Sequence, residues 1–292
     1  MLSSYLYLND LRVHYLHWKT ESNESPVVML HGLASNARIW ELVAPYLVEG
    51  GLAPLAPDLR GHGLTDKPDG DYGFDSFRGD LAAFIKVLDL ERPLLVGHSW
   101  GAMVVLDYAA RYPFGPGSPA GIVLVDGGMT QLDASPGATW ESMRDRLTPP
   151  HLAGTPMEDF LEHLNKPNPR WRPDDRAIQI ILANFDIDED EAIYPRLSFE
   201  HHMQIVQAMW ELKTYDLFSR IRCPVLMVPA RPSEPMSPRE RDFTASKERG
   251  VQKALERNSK VQVHWMPDTI HDIPLQRPEA LGMLIRDFAA SL

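Results

Sequence analysis

Short, uninterrupted apolar runs restrict the fold of this chain more than any other feature. They cover residues 27–30, 93–96, 122–125 and 225–228, and longer segments with helical periodicity separate them. Strands of a parallel sheet have helices on both faces, so they read as continuous apolar runs rather than alternating ones. The sequence therefore predicts an α/β protein with a mostly parallel sheet flanked by helices.

Further segments extend this prediction along the chain. Residues 4–8 and 11–18 alternate in the manner of two hairpin strands, with Asn9-Asp10 as the turn between them. Helices are predicted over 39–49, from a cap at Asp75 to residue 90, over 100–111 and over 278–291. A further strand is predicted over 261–265.

The segment between the runs at 122–125 and 225–228 indicates an insertion. It is about ninety residues long and reads as helices joined by proline-rich turns, too long for an ordinary connection in a compact domain. We expect a helical cap over 130–218, inserted into a core formed by 1–129 and 219–292. Trp140 and Trp210 of this cap are candidates for a substrate pocket, although they can equally serve to pack the cap onto the core.

Charge and cysteine content narrow the expected partners and compartment. Asp and Glu number 40 against 29 Lys and Arg, a net charge of −11, so nucleic acid is not an expected partner. We expect a small molecule, neutral or apolar, and a monomer or small homo-oligomer. The single cysteine, Cys223, excludes an intrachain disulfide and a Cys-based zinc site. The N-terminal residues do not resemble a basic leader, and no apolar run reaches about 18 residues. The sequence therefore favours a cytoplasmic protein that is not attached to a membrane.

A candidate nucleophile lies between a predicted strand and a predicted helix. Gly97-His98-Ser99-Trp100-Gly101 follows the run at 93–96 and leads into the helix over 100–111. A serine at such a sharp turn has a strained backbone, and the flanking glycines leave room for close neighbours. The hydroxyl of Ser99 is therefore expected to project above the edge of the sheet.

The chain resembles the α/β-hydrolase superfamily in this motif and in others. His31-Gly32-Leu33-Ala34 resembles the H-G turn of that family, and residues 58–65 (DLRGHGLT) resemble its D-x-R-G-x-G-x-S loop. The resemblance implies an eight-stranded α/β-hydrolase fold. It also implies an oxyanion hole formed by the backbone amides of Leu33 and Trp100, with His31 and Gly32 beside the substrate pocket.

A serine hydroxyl needs a base, and position selects one of the histidines. His271 lies after the last predicted strand and before the C-terminal helix, where the resembled family carries its catalytic histidine. His31 and His98 belong to the motifs already described and are expected to be packing groups. No metal site is predicted; His201 and His202 are adjacent on a helix and point about 100° apart, so they cannot share one ion.

The acid that orients the histidine has two candidates. Residues 233–238 (SEPMSP) resemble the family loop that supplies this acid, with Glu234 in place of aspartate. Asp126, at the end of the run at 122–125, stands where haloalkane dehalogenases of the superfamily carry theirs, although it could also be a hinge into the cap. Glu234 is the favoured candidate and Asp126 the alternative.

The expected chemistry follows from the serine. Ser99 would attack a carbonyl and form an acyl-enzyme, which His271 and water would then hydrolyse, with no metal or organic cofactor. The favoured substrate is a small carboxylic ester. The alternatives are a lactone, an amide or a C–C bond cleaved on the same triad, or a non-catalytic protein of this fold that binds a small molecule.

Overall fold

A computed structural model describes residues 1–8, 10–19, 25–166, 168 and 170–292. The predicted turn at Asn9-Asp10 includes Asn9, which lies outside the described residues. The strands are β1 (Leu2–Leu8), β2 (Leu11–His17), β3 (Ser25–Leu30), β4 (Leu52–Pro57), β5 (Leu94–His98), β6 (Gly121–Val125), β7 (Thr155–Pro156), β8 (Phe185–Ile187), β9 (Ala192–Pro195), β10 (Val225–Val228), β11 (Ala230–Arg231), β12 (Val261–Val263) and β13 (Met266–Pro267).

The helices lie between these strands. They are α1 (Ala44–Glu49), α2 (Phe74–Val87), α3 (Trp100–Arg111), α4 (Trp140–Leu147), α5 (Met157–Asn165), α6 (Asp175–Leu182), α7 (Phe199–Glu211), α8 (Thr214–Leu217), α9 (Pro238–Arg257), α10 (Ile273–Gln276) and α11 (Pro278–Ala289). Short 3₁₀ helices span Ala37–Trp40, Leu132–Ala134 and Phe218–Arg220.

An eight-stranded sheet in the order β1-β2-β4-β3-β5-β6-β10-β12 forms the centre of the fold. The pairs β1–β2 and β2–β4 are antiparallel, and the other pairs are parallel. The predicted fold class is confirmed. Because the strands from β4 to β12 run parallel, their carboxyl ends meet at one edge of the sheet, where the loops that follow them can share a site.

Alternate residues of the central strands pack on opposite faces of the sheet. Val28 and Leu30 contact the core that α2 and α3 cover, whereas Val27 and Met29 contact the core under α1 and α11. All four are fully buried. This two-sided burial is the physical reason why the strands read as continuous apolar runs.

Some predicted boundaries differ from those observed. Residues 39–49 do not form one helix: a 3₁₀ turn over Ala37–Trp40 is followed by α1, whose first turn contains Pro45. Proline has no N–H to donate to the preceding turn, so the helix starts anew there. Asp75 lies in the first turn of α2, and the cap residue is Gly73.

The segment between β6 and β10 is less purely helical than expected. It contains α4 to α8, but also an antiparallel sheet in the order β7-β9-β8. The turn between β8 and β9 is closed by Asp188, whose Oδ1 accepts hydrogen bonds from the amides of Asp190 (3.0 Å) and Ala192 (2.8 Å). Strands of two to four residues are too short to produce a readable alternation.

Within the described ranges, no helix combines the length and the apolar character needed to cross a lipid bilayer.

Candidate active site

Ser99 occupies a sharp turn between β5 and α3. Its φ of 53° and ψ of −116° lie outside the regions that non-glycine residues ordinarily adopt. The amide of Ser99 donates to the carbonyl of Val125 at the end of β6 (2.9 Å), which fixes the turn against the neighbouring strand. A strained backbone of this kind persists only where the surroundings hold it, and it is concentrated at functional sites.

Glycines make this turn possible because other chain segments approach it closely. A Cβ on Gly97 would lie 2.3 Å from the carbonyl oxygen of Gly101, and one on Gly127 would lie 2.1 Å from that of Ser99. A Cβ on Gly101 would meet the carbonyl oxygens of Leu30 and His31, each at 2.5 Å. The glycines of the motif therefore admit the start of α3 against β3 and β5.

Gly101→Ala is expected to lower the free energy of unfolding by about 1–3 kcal/mol, because the added methyl group overlaps two backbone oxygens. Gly79→Ala is the matched control, since its Cβ would meet nothing within 4 Å in the middle of α2. That variant should gain about 0.5–1 kcal/mol from the lower entropy of the unfolded chain. Urea unfolding of both variants measures the difference, and an unchanged Gly101→Ala would contradict the steric argument.

Ser99, His271 and Asp126 form one hydrogen-bonded chain. His271, in the loop between β13 and α10, places its Nε2 2.9 Å from the Oγ of Ser99. Its Nδ1 lies 2.8 Å from the Oδ2 of Asp126, which follows β6. The side chain of His271 is 42% exposed, whereas that of Asp126 is fully buried. The structure therefore joins residues 172 positions apart in the sequence.

The structure does not bring Glu234 to the imidazole, which corrects the preference drawn from the sequence. The carboxylate of Glu234 is exposed and accepts a hydrogen bond from the amide of Met236 (2.9 Å). Arg170 holds this loop by donating to the carbonyls of Ser233 and Pro235 and to the carboxylate of Glu240. Asp126, the alternative candidate, occupies the position beside His271.

The carboxylate of Asp126 has polar partners on both oxygens. While His271 contacts Oδ2, Oδ1 accepts hydrogen bonds from the amide of Ala230 (2.7 Å) and from the Nζ of Lys247 (2.9 Å). Burial opposes ionisation, but the bond from His271, the charge of Lys247 and the amide of Ala230 together keep the pKa of Asp126 below its ordinary value. Asp126 is therefore a buried, fully satisfied carboxylate.

Lys247 is a residue of the site that sequence reasoning missed. It lies on α9, a helix that was not predicted, although Ser237-Pro-Arg-Glu240 contains a capping box in which each side chain bonds the backbone of the other residue. That signal could have revealed the helix. The depth of Lys247 could not be read from the sequence, because a lysine on a largely polar helix is ordinarily exposed.

Two backbone amides lie at the serine turn and at the turn beside it. Among the described residues, nothing accepts a hydrogen bond from the N–H of Leu33 or of Trp100. The Trp100 amide is the first of α3, where the helix dipole favours negative charge. Leu33 follows Gly32, whose Cβ position is 3.1 Å from the Cβ of Ser99, so this turn lies directly beside the serine.

The two motif histidines have fixed hydrogen-bonding roles. His31 is fully buried; its Nδ1 donates to the carbonyl of Gly32 (2.8 Å), and its Nε2 accepts from the amide of Leu59 (3.0 Å). His98 donates from Nε2 to the carbonyl of His271 (2.9 Å). Burial and the neighbouring His271 lower the pKa of His98 to about 4, so the ring is neutral and serves to hold the backbone of residue 271.

An apolar cavity under the insertion is lined by none of the predicted pocket residues, and neither Ser99 nor His271 borders it. It measures about 470 Å³, begins at Ala34 and extends to residues of the insertion, including Pro149, Leu152, Phe185, Phe199 and His202. His31 and Gly32 are buried in packing contacts. Trp140 and Trp210 pack on each other, with ring centres 6.2 Å apart. Their contact packs α4 against α7, and neither tryptophan lines the cavity.

Within the described part of the chain, no group of three or more His, Cys, Asp or Glu side chains is arranged to hold a metal ion.

Residues 27–282 match the model of the alpha/beta hydrolase family. The chain belongs to this family, as the motifs predicted. An uncharacterized protein of Mycobacterium tuberculosis is 36% identical over 87 residues, which cover 30% of this chain and 25% of that protein. A haloalkane dehalogenase of Mesorhizobium japonicum is 39% identical over 87 residues, covering 30% and 28% respectively. The matched segment thus spans about a quarter of the length of these curated relatives.

Among solved structures, E-2-(acetamidomethylene)succinate hydrolase superimposes with a TM-score of 0.75, covering 99% of both chains at 20% identity. At that identity, the similarity establishes the shared fold over the whole chain.

Proposed function

We propose that this protein is a serine hydrolase that cleaves a small carboxylic ester through an acyl-enzyme intermediate. The observation that carries the proposal is the hydrogen-bonded chain from Ser99 Oγ through His271 to Asp126, with lengths of 2.9 and 2.8 Å. In this proposal Ser99 is the nucleophile, His271 the base and Asp126 the acid. The free amides of Leu33 and Trp100 form the oxyanion hole.

Acylation uses each of these groups in turn. As the Oγ of Ser99 bonds to the ester carbonyl carbon, the Nε2 of His271 takes its proton. Asp126 keeps the Nδ1 of the ring protonated and stabilises the imidazolium that forms. The carbonyl oxygen becomes an anion, and each preorganised amide that holds it contributes about 10²–10³ in rate. His271 then gives its proton to the leaving alkoxide, and the alcohol departs.

Deacylation repeats the sequence with water. His271 takes a proton from a water molecule as its oxygen attacks the acyl carbon, and the same two amides hold the second oxyanion. The proton then passes to the Oγ of Ser99 as the acid leaves. The cycle consumes one water molecule and returns Ser99, His271 and Asp126 to their starting protonation states.

The cavity beside Ala34 supports a compact, largely apolar substrate. Its volume of about 470 Å³ is within the range of small-molecule sites, and its lining includes Leu152, Phe185 and Phe199. The net charge of −11 also disfavours a strongly anionic substrate. A protein that only binds a small molecule has no need for the strained conformation of Ser99, which favours turnover over binding alone.

A substrate panel tests the proposed bond type. The p-nitrophenyl acetate and butyrate esters are compared with the p-nitroanilide of butyrate, a small lactone and a C–C substrate that carries a ketone. We expect the esters to give the highest kcat/KM, because an alkoxide or phenolate leaves more readily than an amine or a carbanion. Faster cleavage of the anilide, lactone or ketone would transfer the assignment to that bond. Binding without turnover of any substrate would contradict a hydrolase.

The pH dependence of ester hydrolysis tests the role of His271. Desolvation of the ring lowers its proton affinity, but the hydrogen bond and charge of Asp126 and the charge of Asp272 outweigh it and raise the pKa of His271 above 6.5. A base must be neutral to accept a proton, so kcat/KM should fall as the pH decreases through this raised pKa. We therefore expect the midpoint of the acidic limb above pH 6.5.

The pH profile is measured with p-nitrophenyl butyrate, and circular dichroism verifies that the protein stays folded at each pH. A midpoint near the ordinary range of carboxyl groups would instead identify a carboxylate as the base.

A further inference from the structure

We propose that Lys247 is a positioning residue for the catalytic acid. Its ammonium group fixes the orientation of the Asp126 carboxylate and limits how strongly that carboxylate holds a proton on the His271 ring. The proposal rests on the function proposed above. Lys247 makes no hydrogen bond to Ser99 or His271; it is bonded to Asp126, and its charge also disfavours a proton on the His271 ring.

The contact between Lys247 and Asp126 is deeply buried. The two side chains are 3% and 0% exposed, and Nζ lies 2.9 Å from Oδ1. Lysine is almost never fully buried unless it is paired, because removing an ammonium group from water is costly. A buried lysine on the carboxylate next to the reactive histidine is therefore a specific feature rather than a surface ion pair.

The hydrogen bonds determine which carboxylate oxygen faces the imidazole. Ala230 donates its amide to Oδ1 of Asp126 and accepts from Lys247 at its carbonyl, so both partners of Oδ1 are tied to one residue. Oδ2 is left to His271. Without Lys247, the Ala230 amide would be the remaining partner of Oδ1, and the carboxylate could rotate more freely.

Close packing of α9 brings Lys247 to this depth. Gly250, one turn further along the helix, approaches the backbone so closely that a Cβ there would lie 1.6 Å from the carbonyl oxygen of Met129. Met129 follows Asp126 by three residues. The ammonium group also lies over the ring of Phe243, 4.8 Å from its centre. The helix is thus seated against the segment that carries the acid.

Charged and titratable groups reach His271 from each neighbouring element. Asp126 after β6 and Asp272 from the loop before α10 favour the protonated ring, whereas Lys247 from α9 disfavours it. His98 from β5 lies 4.8 Å from the ring, centre to centre, and is neutral. Lys247 is therefore the cation that offsets the carboxylates, and its removal should let His271 keep its proton to higher pH.

Lys247→Met is expected to move the acidic limb of kcat/KM to higher pH, because the variant lacks a cation that disfavours the protonated ring. At the plateau, kcat/KM should fall about tenfold or more, because the carboxylate is less firmly oriented. Lys253→Met is the matched control: it removes the same charge from the same helix, but its side chain is 47% exposed and pairs with Glu256. That variant should leave the profile unchanged. Lys247→Arg, which keeps the charge, should retain the wild-type midpoint.

A double variant keeps the test decisive even if Lys247→Met does not fold. Asp126→Asn is compared with Asp126→Asn/Lys247→Met, in which both buried charges are absent. If Lys247 acts mainly by orienting Asp126, removing it should cost much less kcat/KM in the Asp126→Asn background than in the wild type. A further large loss in the double variant, or an unmoved acidic limb in a folded Lys247→Met, would overturn the proposal. Activity that survives Ser99→Ala would instead overturn the proposed function.

Discussion

Replacement of Ser99 by alanine is expected to lower kcat for ester hydrolysis by about 10⁴–10⁶-fold, because it removes the hydroxyl that we propose forms the acyl-enzyme. The fold should be preserved, since the alanine side chain fits wherever the serine side chain fits. Burst kinetics with p-nitrophenyl acetate and mass spectrometry after treatment with a fluorophosphonate measure the loss of the covalent step. The modified peptide of the wild type should contain residue 99.

The chain contains its own control for this experiment. Ser3 on β1 places its Oγ 2.8 Å from Nε2 of His14, whose Nδ1 lies 2.7 Å from Asp58. The atoms repeat the pattern found around Ser99, but Ser3 lies in a regular strand rather than at a strained turn. Ser3→Ala should retain activity and labelling. Fluorophosphonate on Ser3, or activity remaining in Ser99→Ala, would contradict the assignment of the nucleophile.

Asp126→Asn is expected to lower kcat by about 10⁴-fold, because an amide cannot hold the ring in the tautomer that accepts a proton at Nε2. Glu234→Gln should change kcat little, since the carboxylate of Glu234 bonds to the amide of Met236 and not to His271. The comparison of the two variants on one ester decides between the two acids. A larger loss in Glu234→Gln would return the role to Glu234.

The Asp126 variant also removes the partner of a buried lysine, so its stability must be measured beside its activity. An uncompensated buried charge costs about 3–5 kcal/mol. Urea unfolding and circular dichroism at the assay temperature show whether the loss of kcat belongs to folded protein.

The strands and the sharp turn at Ser99 could be predicted because local sequence determines them. Val27 to Leu30 are buried on both faces and therefore read as one apolar run. Ser99 stands between glycines whose absent side chains admit α3, and this requirement leaves a recognisable motif. His271 could be found from chain order, because it follows the last strand of the sheet and precedes the final helices.

The acid could not be chosen from the sequence, because both candidates follow strands that end at the same edge of the sheet. Asp126 follows β6, and Glu234 follows β10 and β11. Which carboxylate reaches the imidazole depends on the conformation of the loops. Arg170 holds the loop of Glu234 through the carbonyls of Ser233 and Pro235. Arg170 and Ser233 are more than sixty positions apart in the sequence, so their contact produces no local sequence pattern.

The lining of the cavity and the burial of Lys247 depend on packing between distant segments, so neither could be predicted from the sequence. Trp140 and Trp210 are residue types expected in a pocket, yet they pack against each other between α4 and α7. Lys247 is buried because Gly250 lets α9 approach Met129. Composition identifies which side chains are suitable for a role, but only the fold determines which of them are near it.

The hydrogen bond from His98 to the carbonyl of His271 positions the reactive groups independently of the segment that lines the cavity. His98 ends β5 and directly precedes Ser99, so Ser99 and the backbone of His271 are both held by the same strand of the sheet. Substitutions at cavity residues of the insertion such as Leu152 and Phe199, which leave Arg170 in place, should therefore change which acyl or alcohol group fits without moving His271 away from Ser99. In this fold, the residues that select a substrate can therefore vary separately from the residues that would act on it.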